Sequence, residues 1–379
     1  MNPELRSPEE TEAWLVLLRA PGLGATRLRS LVTRAGSAAA VLSGLEPLRR
    51  EFSFAEETLA WLRTPDHARI AADCDWLAAD GRHLLTWLDE DYPALLREAG
   101  AAPAALFVAG DASKLWLPQI AIVGARNATA GGLTNARSFA QHLAAAGFAV
   151  TSGLADGVDA AAHSATLDAG ASTIAVMGTG PDRVYPRKHA SLAARIRANG
   201  ALVSEFPPGV EARPAHFPRR NRIIAGLSLG VLVVEASTQS GSLITARLAG
   251  EQGREVFALP GSIHNPLARG CHQLIRQGAR LVETAAEIIE DLAPLAQALG
   301  ERLRQHLLPP ASIDAATAAA PARDADYGRV LTALGHDPTG LDELSARTGL
   351  GVAALSSMLL LLELDGEVSS CGGGRYQRR

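Results

Sequence analysis

From Ile120 to Pro260 the chain alternates short, unbroken apolar runs with longer stretches whose apolar residues recur at helical spacing. The runs are Ile120–Val123, Phe148–Thr151, Thr173–Met177, Ala201–Val203, Leu229–Val234 and Val256–Leu259. Such short, continuous runs read as strands buried on both faces. Helical patterns lie between them, at Leu133–Ala146, Ala160–Ala169 and Ile244–Gln252. Strand and helix alternating at this spacing predict an α/β fold built on a doubly wound parallel sheet. The loops leaving the strands of such a sheet gather at its carboxyl edge, where ligands bind.

The flanks follow other patterns. Residues 1–75 are mostly helical, and within them Pro21-Gly22-Leu23-Gly24-Ala25 precedes the amphipathic run Thr26–Ala35. A Gly-apolar-Gly turn between short helices has the outline of a helix-hairpin-helix, which can offer backbone N–H groups to a DNA phosphate. We favour a helical domain that merely turns there, since Glu9, Glu10 and Glu12 do not invite phosphate. The sheet domain is expected over 81–292, and an Ala/Pro-rich linker over 300–325. Residues 326–379 then predict helices at Tyr327–Leu334, Leu341–Thr348 and Val352–Asp365, followed by a hairpin over 366–377. Three helices and a hairpin outline a winged helix.

A chain of 379 residues suggests two or three domains. At 47% hydrophobic it is a globular composition, with no apolar run long enough to span a membrane. The acidic start MNPELRSPEETEAW lacks a secretory core, and Cys74, Cys271 and Cys371 form no CxxC. These features lead us to expect a cytoplasmic protein with no metal. The net charge of −4 argues against a uniformly basic nucleic-acid binder. Its layout changes that picture, because residues 183–222 hold nine Arg or Lys against two acids, Glu205 and Glu211.

Five loops carry the candidate chemistry. In Gly124-Ala-Arg-Asn-Ala-Thr129, Gly124 allows close approach of a ligand and Arg126 supplies a planar fork for phosphate oxygens. GARNATAGG is not the GxGxxG of a nicotinamide site, and no Walker motif is present, so no cofactor is expected. The second loop offers Ser152, Gly153 and Gly157, then Asp159 and His163 four apart on one helical face. That pair could be an acid–base couple. Without a nucleophile set beside it, we read Asp159 as a helix cap and His163 as a buried hydrogen-bonding residue.

The third and fourth loops hold the basic run, with Tyr185-Pro186-Arg187-Lys188 in one and Phe217-Pro218-Arg219-Arg220-Asn221-Arg222 in the other. Cations interleaved with rings suit single-stranded nucleic acid, charge for the backbone and flat faces for the bases. The fifth loop, Ser240-Gly241-Ser242, either caps its helix or leaves N–H groups for a phosphate.

Several of these stretches together resemble the DNA-processing protein A family, also called DprA or Smf. They are Ile122-Val-Gly-Ala-Arg126, Ser152-Gly-Leu-Ala-Asp-Gly-Val-Asp-Ala-Ala-Ala-His163, Tyr185-Pro186, Phe217 to Ser228, Glu235 to Arg247 and Leu259-Pro-Gly-Ser262. The resemblance implies an extended Rossmann-like sheet domain, with a sterile-alpha-motif-like helical domain in front and a winged helix behind. It implies a non-enzymatic protein of natural transformation that binds single-stranded DNA, protects the incoming strand and helps load the RecA recombinase. It also implies a homodimer through the sheet domain. The family's phosphate-binding Arg falls on Arg126, and its basic position after Tyr-Pro falls on Arg187 or Lys188. Where the family often has a basic or neutral residue, this chain has Asp156, which we leave out of the site.

Two other functions use the same elements. Phosphoribohydrolases of the lysine-decarboxylase-like type release a base from a nucleoside monophosphate through a PGGxGTxxE loop. Ser240-Gly-Ser-Leu-Ile-Thr245 lacks its double glycine, and Glu251 is out of register. A winged-helix regulator would read duplex DNA, yet Val352–Asp365 contains no Arg or Lys.

Overall fold

A computed structural model describes residues 6–100, 102–307, 325–335, 337–351, 368–370 and 375–378, with Leu355, Met358, Leu359 and Leu362. The chain divides into two units, Met1–Leu307 and Leu308–Arg379.

Every apolar run singled out above is a strand, within one residue at either end: β3 (Gln119–Val123), β4 (Ala149–Ser152), β5 (Thr173–Val176), β6 (Ala201–Ser204), β7 (Gly230–Val233) and β8 (Glu255–Ala258). Three further strands extend the sheet: β1 (Arg82–Thr86), β2 (Ala105–Gly110) and β9 (Arg280–Leu281). The order is β1-β2-β6-β5-β4-β3-β7-β8-β9, parallel from β6 to β9. The edge strands β2 and β1 are added antiparallel. Alternate side chains of β3 feed opposite cores. Ile120 and Ile122 pack with α8 (Ala130–Ala145), α9 (Val158–Asp168) and α14 (Ala285–Leu307), whereas Ala121 and Val123 pack with α11 (His216–Leu227), α12 (Gly241–Glu251) and α13 (Arg269–Arg276). Fully burying one such Ile or Val is worth roughly 1.5–3 kcal/mol, which is why both strand faces read as apolar.

The path of the chain sets the site. From β3 it steps through β4 and β5 to β6, with α10 (Ala190–Asn199) before β6. It then crosses back along α11, against β5, β4 and β3, to reach β7 on the other side of β3. The order therefore reverses between β4 and β7, and the loops around that switch point are where an open sheet offers a crevice.

Ahead of the sheet, α1 (Pro8–Arg19), α2 (Ala25–Ala35), α3 (Ala38–Ser43), α4 (Leu45–Glu51), α5 (Glu56–Arg63) and α6 (His67–Leu77) share a core with Leu84, Ala105 and Phe107 of the edge strands. Arg19 ties them together, donating to the buried Asp73 and to the Pro208 carbonyl at 2.8 Å. A short α7 (Ala94–Glu98) joins β1 to β2.

The second unit contains α15 (Ala325–Leu334), α16 (Leu341–Thr348) and a sheet in the order β10 (Thr339–Gly340), β12 (Arg375–Arg378), β11 (Val368–Ser370). Val330, Leu334, Leu344, Leu355, Leu359, Leu362 and Val368 form its core. The helix expected at Val352–Asp365 and the linker expected at 300–325 lie largely outside the described residues. Among the described residues, no helix is long and apolar enough to cross a membrane.

Candidate functional site

The first two loops are locked face to face. Gly157 adopts φ +76°, and a Cβ there would sit 2.2 Å from the Ala125 carbonyl and 2.5 Å from that of Arg126. A Cβ on Gly124 would meet Val158 at 2.7 Å. Ser152 and Asp159 of the second loop face inward. Ser152 Oγ donates to the Ile122 carbonyl at 2.6 Å, and Asp159 accepts from Gly153 N at 3.1 Å and Ala155 N at 3.3 Å. Asp159 thus pins the loop instead of capping α9. The Ser152–Gly153 segment, expected to cradle a ligand, is occupied within the fold.

Arg220 completes this packing. It is 5% exposed and donates through Nη1 to the carbonyls of Gly153, at 2.6 Å, and Val176. A Cβ on Gly153 would lie 2.1 Å from that nitrogen, so glycine leaves room for the guanidinium. Burial lowers the Arg220 pKa to about 10, against the pull of Asp159, and it stays charged at neutral pH. Burial pushes the Asp159 carboxyl up, opposed by Arg220 and the loop N–H groups. His163 is also buried, with Nδ1 2.7 Å from Thr173 Oγ1, and burial depresses its pKa to about 3. It is neutral and structural, as the sequence suggested.

The fourth loop is corrected. Residues 219–222 lie within helix α11, not in a loop, because Ile223, Ile224 and Leu227 give that segment a buried helical face. One turn therefore scatters its polar side chains. Arg220 points into the core, and Asn221 donates to the Gly241 carbonyl at 3.2 Å. Arg219 and Arg222 converge on Glu205, whose side chain is 3% exposed. Arg222 is itself largely buried, and burial lowers its pKa although Glu205 opposes this. Arg219 is half-exposed, 2.9 Å from Glu205 and 5.2 Å from the Phe206 ring.

The helix starts expected to receive phosphate are filled from inside. At α8, Glu235 accepts from Thr129 N at 2.8 Å, Thr129 Oγ1 at 2.7 Å and Asn265 Nδ2 at 3.2 Å. A carboxylate from the chain thereby takes the place a nucleotide phosphate would use at a Rossmann helix. At α12, Ser240 caps Ser242 N at 3.3 Å, and the two hydroxyls lie 2.6 Å apart. Glu205 and Glu235 were not singled out from the sequence. Their signal was there, since Glu205 directly follows β6 and Glu235 follows β7 after one intervening residue, which places both at the carboxyl edge. Glu251 pairs with Arg247 in the last turn of α12, at the opposite end from Ser240.

Two exposed side chains, Arg126 and Tyr185, meet across the half-buried Phe217. The Arg126 guanidinium stands 5.7 Å from the Phe217 ring centre, and the Tyr185 ring lies 5.5 Å from the same ring. Tyr185 is 49% exposed and is followed by a cis peptide to Pro186 and a 3-10 turn, Arg187–His189. Arg126 and Arg187 are exposed and have no carboxylate partner among the described residues. Lys188 is exposed too, with its ammonium 2.9 Å from Asp156, which also lies 2.9 Å from His189 Nε2. The hydrogen bond from Lys188 holds the Asp156 carboxyl below its usual range. Among the described residues, no cluster of His, Cys, Asp or Glu could hold a metal.

Comparison with known proteins converges on one family. The profile of DNA recombination-mediator protein A matches residues 83–293, and that of the DprA winged helix domain matches 314–374. Protein Smf of Escherichia coli strain K12 is 42% identical over 331 residues, covering 86% of this chain and 81% of that protein. DNA processing protein DprA of Streptococcus pneumoniae is 45% identical over 204 residues, 54% of this chain and 72% of that protein. The X-ray structure of the S. pneumoniae protein superposes with TM-score 0.67 at 34% identity, covering 74% of this chain and 97% of that one. A structure of DNA processing protein A from Helicobacter pylori, described for its single-stranded DNA binding mode, gives TM-score 0.51 at 28% identity, covering 56% and 96%.

Proposed function

The chain belongs to the DNA recombination-mediator protein A family, and from that premise we propose that it binds single-stranded DNA along the carboxyl edge of its sheet, without catalysis. One observation carries the reading, the row in which the exposed Arg126 and Tyr185 flank the half-buried Phe217. Rings within stacking reach of unpaired bases and a cation for the backbone are what a strand without duplex partner requires. Arg187, Lys188 and Arg219 supply further charge on the same edge. Glu235 at the α8 start supports a strand groove over a nucleotide pocket, because its negative charge repels a bound phosphate.

The wider role is the family's. It covers a cytoplasmic protein of natural transformation and recombination that protects incoming strands and helps load RecA as a homodimer through its sheet domain. Family membership supports these points. The domain plan at 1–75, 81–292 and 326–379 belongs to the same proposal.

The test is a mobility shift with oligo-dT against duplex of equal length, across a salt series. Tighter binding of oligo-dT, weakening steeply with salt, is expected. Equal affinity for both would overturn the single-strand reading.

A further inference from the structure

Asp156 sits among the cations of the exposed edge. Its neighbour Gly157 is seated on the backbone of Ala125 and Arg126, so the carboxylate is carried beside the Arg126 loop. On its other side it contacts Lys188 Nζ and His189 Nε2, both at 2.9 Å. Two ion pairs on this edge differ in kind. Glu205 is 3% exposed and holds both Arg219 and Arg222, so water and ligand have little access to it. Asp156 is 36% exposed and Lys188 66%, so their pair faces solvent and is individually weak. A phosphate carries the same charge type, and can take the ammonium from that carboxylate without unpacking any core.

We propose that Asp156 is a resident competitor for strand phosphate. It holds the Lys188 ammonium in the free protein and yields it when a strand enters, so loading and release proceed by exchange of one ion pair. The exchange lowers resting affinity and gives Lys188 back a partner when the strand leaves. This inference rests on the single-strand reading of the same edge.

Asn is the informative replacement, because Asp156→Asn keeps Oδ1 as an acceptor for Lys188 and His189 while removing the charge. Asp156→Ser serves as a second neutral variant should the first fold poorly. Oligo-dT binding is measured by fluorescence anisotropy over a salt series for wild type, D156N, K188A and the double variant. D156N is expected to bind several-fold tighter with an unchanged salt slope, because wild type makes the same Lys188–phosphate contact once the ammonium is released. Adding K188A is expected to abolish the gain in affinity. Unchanged or weaker binding by D156N would overturn the exchange, and would make Asp156 a positioning residue for Lys188. A gain that survives K188A would also overturn it, as a general charge effect. A folded wild type that binds no oligo-dT would instead remove the single-strand reading, and the exchange with it.

Discussion

Two parts of the same sheet edge have similar composition and opposite arrangements. Around Ser152, Asp159, Arg220, Glu235 and Ser240, each side chain bonds to another group of the chain. Around the half-buried Phe217, the cations Arg126 and Arg187 and the Tyr185 ring stand in solvent. The first part is a frame, and the second is what the frame presents. Charge alone does not distinguish them, since Arg219, Arg220 and Arg222 are close neighbours in one helix yet only Arg219 is half-exposed. Burial and partner count decide which cation is available to a ligand.

The sharpest way to break this contrast is at Arg220. Arg220→Met keeps the volume but leaves Asp159 and two carbonyls without their cation, and is expected to cost about 3–5 kcal/mol in urea unfolding. Unaltered stability with lost oligo-dT binding would move Arg220 from frame to groove. His163 tests the frame by pH. Its pKa rises from about 3 in the folded chain to an ordinary 6.5 on unfolding, so the unfolded chain binds the extra proton between those values. Its contribution is complete above pH 6.5 and declines as pH falls, by roughly 3 kcal/mol at pH 4. His163→Gln is expected to flatten that part of the stability profile, and an unchanged slope would contradict the assignment.

On the exposed part, Arg126→Ala and Phe217→Leu are expected to separate charge from stacking. Loss of Arg126 is expected to weaken oligo-dT binding roughly tenfold or more and to reduce the salt slope by about 0.7. Phe217→Leu removes about 1–3 kcal/mol of stacking while leaving the salt slope alone. Matching slopes in both variants would end the division of labour. The smallest effect is at Ser240→Ala, with about 1 kcal/mol of stability lost with the cap and oligo-dT affinity retained. A drop in affinity without a change in stability would return that loop to the groove.

Much of the frame was legible in the chain because its strands are buried on both faces and announce themselves as apolar runs. The edge strands were less visible. In β1, Arg82 and His83 interrupt the pattern, and β9 is only Arg280–Leu281. The α11 segment misled for another reason. Phe217-Pro218-Arg219-Arg220 looks like a basic loop until the buried face of Ile223, Ile224 and Leu227 is counted as one helix with it. For the site, residue type marked Arg126 and the Tyr185 and Phe217 motifs, whose proximity only the fold reveals. Partnering was not legible. Whether Ser152 or Arg220 faces a ligand or a carbonyl depends on contacts 30 and 67 residues away in sequence.

The central claim is that bases lie on the rings beside Arg126. Photocrosslinking of a 5-iodouracil oligonucleotide, followed by peptide mapping, reads this directly. Crosslinks at Tyr185 or Phe217, lost at high salt, are the expected result. Crosslinks confined to the loop at Ser240–Ser242 or to the second unit, with none at either ring, would contradict it.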